Sequence, residues 1–185
     1  GRSGSTARKS EAASGKRNGR VLCSRSGASD GRSISNRASQ AARRAQTKRA
    51  AVNALANDPV NNGIIVQTTE ELQTAQTEGK AALILGFQNA LILGTNTTGI
   101  DELYDSGVRV FALTHMGHNN FADSSRTLFD GDTGTREPES EHGGLSVLGR
   151  SAISKINALG GVVDISQLST QAALQAIDLS TTPVI

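Results

Sequence analysis

The sequence predicts a parallel α/β fold, about half of a (β/α)8 TIM barrel, preceded by a disordered basic N-terminal segment. Three observations point there. From about residue 50 onward, short apolar runs alternate with amphipathic stretches, the pattern of repeated strand and helix units. Strand, helix and strand in succession force parallel pairing through right-handed crossovers, which leaves a doubly wound sheet or a closed barrel. Roughly five strands in about 125 residues recur every 25 to 30 residues or so, the spacing of a barrel of about 250 residues in all. Aromatic residues make up only 3% of the chain, so the core falls to Leu, Ile, Val and Ala, as buried parallel strands require.

Two segments follow, 1–50 and 51–185. The first holds 13 of the 19 Lys and Arg against only Glu11 and Asp30, whereas the second carries 6 basic and 15 acidic residues. The formal charge of +2 conceals these opposed halves and says little about partners. Gly, Ser, Ala and Arg dominate residues 1–50, and their scattered apolar side chains do not repay the entropy of ordering. Such an arm could contact phosphates, but the composition is unspecific and equally that of a tail, a linker or an out-of-frame translation product; no nucleic-acid partner is expected. The segment lacks the apolar stretch of a secretory signal, while its Arg- and Ser-rich, acid-poor start matches transit peptides by composition, so the compartment stays open. No apolar run approaches the length of a membrane span, and a soluble chain is expected. The lone Cys23 excludes an internal disulfide framework and a multi-cysteine zinc site.

The elements of the second segment can be read in order. Ile64, Ile65 and Val66 form a short strand. Thr68 and Glu71 make a capping box for a helix through Leu72 and Ala75 that stops at Gly79. Ala81 to Phe87 is a strand apolar on both faces, ended by Gln88 and Asn89. Residues 101–104 give a short helix, Gly107 ends it, and Val108 to Thr114 is the next strand, with His115 directly after. Residues 116–144 are a long polar stretch of the kind that is functional or disordered inside compact domains. Val147 to Leu159 is a helix with Val147, Leu148, Ala152, Ile153, Ile156 and Leu159 on one face, closed by Gly160 and Gly161. Val162 to Ser166 is a strand followed by Gln167, Thr170 to Leu179 a helix, and Pro183-Val184-Ile185 the opening of another strand.

Gln88, His115 and Gln167 therefore each follow a strand, and in a parallel barrel all strand C-termini open onto one catalytic face. Other chemistries find less support. Dinucleotide and P-loop motifs are absent. His115 and His118 have a metal-pair spacing but lie in a loop, and Glu137, Glu139 and Glu141 beside His142 read as a solvated loop face.

The stretches AALILGFQNA (81–90), VRVFALTHMGHNNFADSS (108–125), GGLSVLGRSAISKINALGGVVDISQLS (143–169) and the closing STTPVI together resemble the membrane (renal) dipeptidase family, in a bacterial-type branch. The resemblance implies a (β/α)8 barrel holding two zinc ions whose bridging hydroxide cleaves dipeptides. It places a bridging glutamate where this chain has Gln88, and a histidine ligand where it has Gln167. Neutral amides are poorer zinc ligands than carboxylate or imidazole. It gives His115 the task of polarising the substrate carbonyl or steadying the tetrahedral intermediate, and it matches Asp123 as a second substrate-side residue.

Two readings stand. One is a metal-dependent dipeptidase-like hydrolase present as a fragment; the other is a peptide-binding barrel that has lost its metal ligands. An open half barrel leaves parallel edges unpaired, which predicts poor solubility or partner chains, with a homodimer kept open as the assembly.

Overall fold

The computed structural model describes residues 30–185, a mixed α/β structure built on parallel strand pairs. Residues 1–29, most of the segment expected to be disordered, lie outside the described residues, and Cys23 with them. From Asp30 the structure departs from that expectation. Helix α1 (Asp30–Asn57) runs unbroken through the expected boundary at residue 50. Its later part, QAARRAQTKRAAVNALAN, is rich in Ala, Arg, Gln and Lys, and this strong helix propensity offsets the shortage of apolar side chains. Ala56 is buried near its end, where α1 packs on β1 (Gly63–Ile65) and on a 3-10 turn at Ala90–Leu93.

Helix α2 (Thr69–Thr77) begins as the capping box predicts. The Glu71 amide donates to Thr68 Oγ1 at 3.1 Å, and the Glu71 carboxylate accepts from the amides of Thr68 and Gln67. The apolar run that follows differs from its expectation. It is two strands, β2 (Ala81–Leu83) and β3 (Leu85–Gln88), separated by an exposed Ile84. The reason lies in their partners: β2 pairs with β1, whereas β3 pairs with β4 (Val108–Ala112), and the register shifts between Leu85 and Gly86. Neither strand is buried on both faces, since Gly86 and Gln88 are exposed.

Helix α3 (Thr98–Asp105) is longer than the sequence suggested, and the chain turns into β4 at Gly107 with φ +101°. The long polar stretch contains a small antiparallel hairpin, β5 (Phe129–Asp130) with β6 (Thr135–Arg136). Helix α4 (Val147–Leu159), strand β7 (Val162–Asp164) and helix α5 (Thr170–Leu179) complete the described elements. The two helices occupy the predicted spans because Ser146 and Ser169 cap them and Gly160, at φ +79°, ends α4. Val147, expected on the buried face of α4, is instead exposed in its first turn, while Ala152, Ile153 and Ile156 carry the burial. α4 lies so near the loop before it that a Cβ at Gly149 would collide with the Phe121 carbonyl oxygen.

Strands β3, β4 and β7 form one parallel sheet in that order, with Phe87 opposite Phe111 and Phe111 opposite Val163. Beyond β7, the Ile185 amide donates to the Val163 carbonyl and the Ile165 amide to the Ile185 carbonyl, so the chain end lies alongside as the next strand position. The core sits between this sheet and α3, α4 and α5, around Ile100, Phe111, Ile153, Ile156, Val163, Ala172 and Ala176. No helix among the described residues is long and apolar enough to cross a membrane.

Candidate functional site

Parallel neighbours end on the same edge of a sheet, so the order β3–β4–β7 brings the residues after each strand to one rim. Gln88 is the last residue of β3, His115 lies three residues beyond β4, and Gln167 three beyond β7. Hydrogen bonds tie the last two loops together. Thr114 Oγ1 donates to the Gln167 carbonyl at 2.8 Å, and the Ser125 amide donates to the same oxygen at 2.9 Å. Ser124 Oγ donates to the His115 carbonyl at 2.7 Å. On the other side the Asn89 amide donates to Ala112, so the turn after β3 is pinned to the end of β4.

The three side chains are placed differently. His115 is exposed, and with Gln88 it lines a cavity of about 1190 Å³ whose other wall comes from α1. Gln167 is not among the residues lining that cavity. Its backbone is left-handed, φ +64°, a strained conformation for a residue with a Cβ, held by the donors to its carbonyl. Its Oε1 is buried without a hydrogen-bond partner, the one such side-chain atom among the described residues.

Asp123, expected as a second substrate-side residue, has its carboxylate engaged within the loop. It is fully buried, and its carboxylate accepts from Ser140 Oγ at 2.6 Å and from the amides of Glu141, His142 and Gly144. Burial alone would raise its pKa, but these donors outweigh burial and hold it at about 2. With its oxygens taken by the 140–144 turn, the carboxylate organises the loop and offers no free face to a ligand.

The rest of the long loop is knit by similar bonds. Asn119 donates to the Leu113 carbonyl and accepts from the amides of Phe121 and Ala122. His118 Nδ1 accepts from the Ser124 amide at 3.0 Å, so its proton sits on Nε2, which donates to the Pro138 carbonyl at 2.8 Å. That tautomer is neutral, and its 3.6 Å approach to Asp123 is not an ion pair. His142 Nε2 donates to the Asn119 carbonyl. Glu139 and Glu141 face solvent as expected, but Glu137 is half-buried and accepts from the amides of His118 and Leu128. Thr114, Asn119 and Ser124 were not singled out by the sequence, because a buried hydroxyl or amide that joins two loops has no local signature. The basic wall on α1 does have one, in the helical spacing of Arg44, Lys48 and Val52.

Residues 25–185 match the family model described as membrane dipeptidase, peptidase family M19. The chain belongs to the membrane dipeptidase family. It is 33% identical over 107 residues to dipeptidase tcpJ of Claviceps purpurea (strain 20.1), which covers 58% of this chain and 23% of that protein. It is 29% identical over 121 residues to dipeptidase verJ of Clonostachys rogersoniana, covering 65% of this chain and 29% of that one. The probable dipeptidase PvdM from Pseudomonas aeruginosa has a similar fold, with a TM-score of 0.72 at 32% identity over 80% of this chain and 36% of that one. The chain spans 23% and 29% of the length of these two curated relatives.

The family is one of metallopeptidases, so a metal is implied, and the donors on the rim test it. Among the described residues no three His, Cys, Asp or Glu side chains come together as a metal-holding group. Gln88 and Gln167 offer neutral carboxamides, and Asp123 is committed to its loop. Zinc favours thiolate, imidazole and carboxylate, so the donor set of residues 30–185 does not fit a dinuclear zinc centre.

Proposed function

We propose that the protein is a dipeptidase-like hydrolase, and that this chain is about half of its (β/α)8 barrel. The carrying observation is the shared edge of β3, β4 and β7, which gathers Gln88, His115 and Gln167. In this reading His115, exposed on the cavity wall, donates to the substrate carbonyl where negative charge develops, and the loop held by Asp123 keeps it there. Gln88 borders the same cavity and contacts the dipeptide through its amide. Two zinc ions, the cofactor the resemblance implies, would need carboxylate and imidazole ligands from outside residues 30–185.

The test is zinc content and hydrolysis of simple L,L-dipeptides by the complete protein. Turnover is expected, and His115→Ala should lower kcat/KM by about 100-fold. The thermal midpoint should stay in place, because the His115 ring makes no hydrogen bond within the described chain. A second reading, a peptide-binding barrel without catalysis, is favoured by the two amides. It predicts dipeptide binding without turnover at any zinc concentration, and a gain in zinc affinity on Gln88→Glu with Gln167→His.

A further inference from the structure

The cavity wall opposite the rim is basic. Helix α1 presents Arg44, Lys48 and Arg49 to the same cavity that Gln88 and His115 line, and Glu102 is the one acidic residue among those lining it. The ion pairs involving lysine or arginine among the described residues lie elsewhere, at Lys80 with Glu78 and Lys155 with Asp101. Arg44, Lys48 and Arg49 therefore have no carboxylate partner among the described residues. Arg44 and Lys48 stand one helical turn apart, where like charges repel each other and weaken the helix. An anion in the cavity turns that repulsion into attraction. Apolar side chains of β3 and of the 3-10 turn after it add to the lining, and its positive charge comes from α1 alone, apart from His115 if protonated.

The balance of charge narrows the ligand. Arg44, Lys48 and Arg49 against Glu102 leave the lining with a net charge of +2. A dipeptide with neutral side chains is a zwitterion of no net charge, so an acidic side chain is what gives the ligand the negative charge that this lining favours. Resting on the peptide-directed reading above, we infer that this cavity selects anionic dipeptides, whose acidic side chain faces Arg44, Lys48 and Arg49 while the peptide carbonyl faces His115.

The test uses the complete protein and two probes of equal shape, L-Ala-L-Glu and L-Ala-L-Gln, with affinity read as KM from initial rates where they are cleaved and by calorimetry where they are not. L-Ala-L-Glu should bind about 10-fold more tightly at low salt, the scale of one partly solvated charge contact. That preference should shrink as NaCl rises from about 0.05 to about 0.5 M, since exposed charges are screened within a few ångströms at the upper value. The triple variant R44Q/K48Q/R49Q should bring the two affinities within about twofold; its thermal midpoint and circular dichroism report whether α1 is intact. Equal affinities in the wild type, or an undiminished preference in a folded triple variant, would overturn the inference and leave the peptide-directed reading standing. Binding of neither dipeptide would overturn both. Displacement of L-Ala-L-Glu by an equal concentration of inorganic phosphate would mark an unselective anion patch and also overturn it.

Discussion

Strands β4 and β7 lie inside a closed core, whereas β1 and β2 are covered only in part. In the first pair Phe111, Ala112 and Val163 are almost wholly out of water. In the second pair no residue is fully buried, and burial there comes from Val66, Ala75 and Ala56 outside the strands. The difference follows from neighbours. β4 has a strand on each side and α3 packed against it, with α4 on the neighbouring β7, while β1 and β2 pair only with each other among the described residues and meet α1 and α2. The stiff half carries His115 and Gln167, and the looser half carries the basic wall. Gln88 lies where the two meet, so the cavity combines the rim of the buried sheet with the exposed basic face of α1.

Truncation inside each half should expose this contrast most strongly. Ile153 of α4 is fully buried in the core cluster, and Ile153→Ala should cost about 4 kcal/mol through lost transfer energy and the cavity left behind. Ile65 of β1 is only half-buried, and Ile65→Ala should cost about 1 kcal/mol. Urea denaturation of the complete protein measures both. Equal losses would mean that the two halves share one core.

Acid should act next, and on the stiff half. The Asp123 carboxyl is depressed from 3.8 to about 2 in the folded chain. Its contribution, roughly 2 kcal/mol, is therefore fully present above about pH 4 and is lost as pH falls through about 4 to 2. Asp123→Asn should remove that pH dependence while destabilising the protein at neutral pH, because the amide replaces an acceptor oxygen with a donor that meets the amides of the 140–144 turn. A fluorescence-monitored unfolding series between about pH 6 and about pH 2 follows it; an unchanged acid slope in the variant would show that Asp123 does not set the loss of stability in acid.

The same contrast explains which features were legible in the sequence. Helices α2, α4 and α5 could be placed closely because their signals are local: Thr68 with Glu71 for α2, an apolar face closed by Gly160 for α4, and the uninterrupted helix formers of Thr170–Leu179 for α5. The division of residues 81–88 was not legible, since continuous apolar composition does not record that β2 and β3 answer to different partners. Helix α1 was obscured by averaging, because residues 1–50 are low in apolar content as a whole while their last third is dense in helix formers. At the site, the strand-end positions of Gln88, His115 and Gln167 could be inferred from the alternation of elements. The commitment of Asp123 to its own loop could not, as its partners lie 17 to 21 residues further along the chain.

The smallest effect is expected at a cap in the looser half. Thr68 Oγ1 satisfies the Glu71 amide, and Thr68→Ala leaves that donor to solvent at a cost of about 1 kcal/mol. Few tertiary contacts hold α2 beyond Ala75, so the loss should appear first as faster hydrogen exchange of the α2 amides, with those of α4 unchanged. The corresponding residue of α4, Ser146, also donates to the Asn120 carbonyl at 2.6 Å while it caps Gly149. Ser146→Ala thus breaks a link between helix and loop as well as a cap, and should speed exchange in the 119–124 segment too. If Thr68→Ala disturbed α4 as much as α2, the two halves would open as one unit, and the seam beside Gln88 would be as rigid as the sheet behind it.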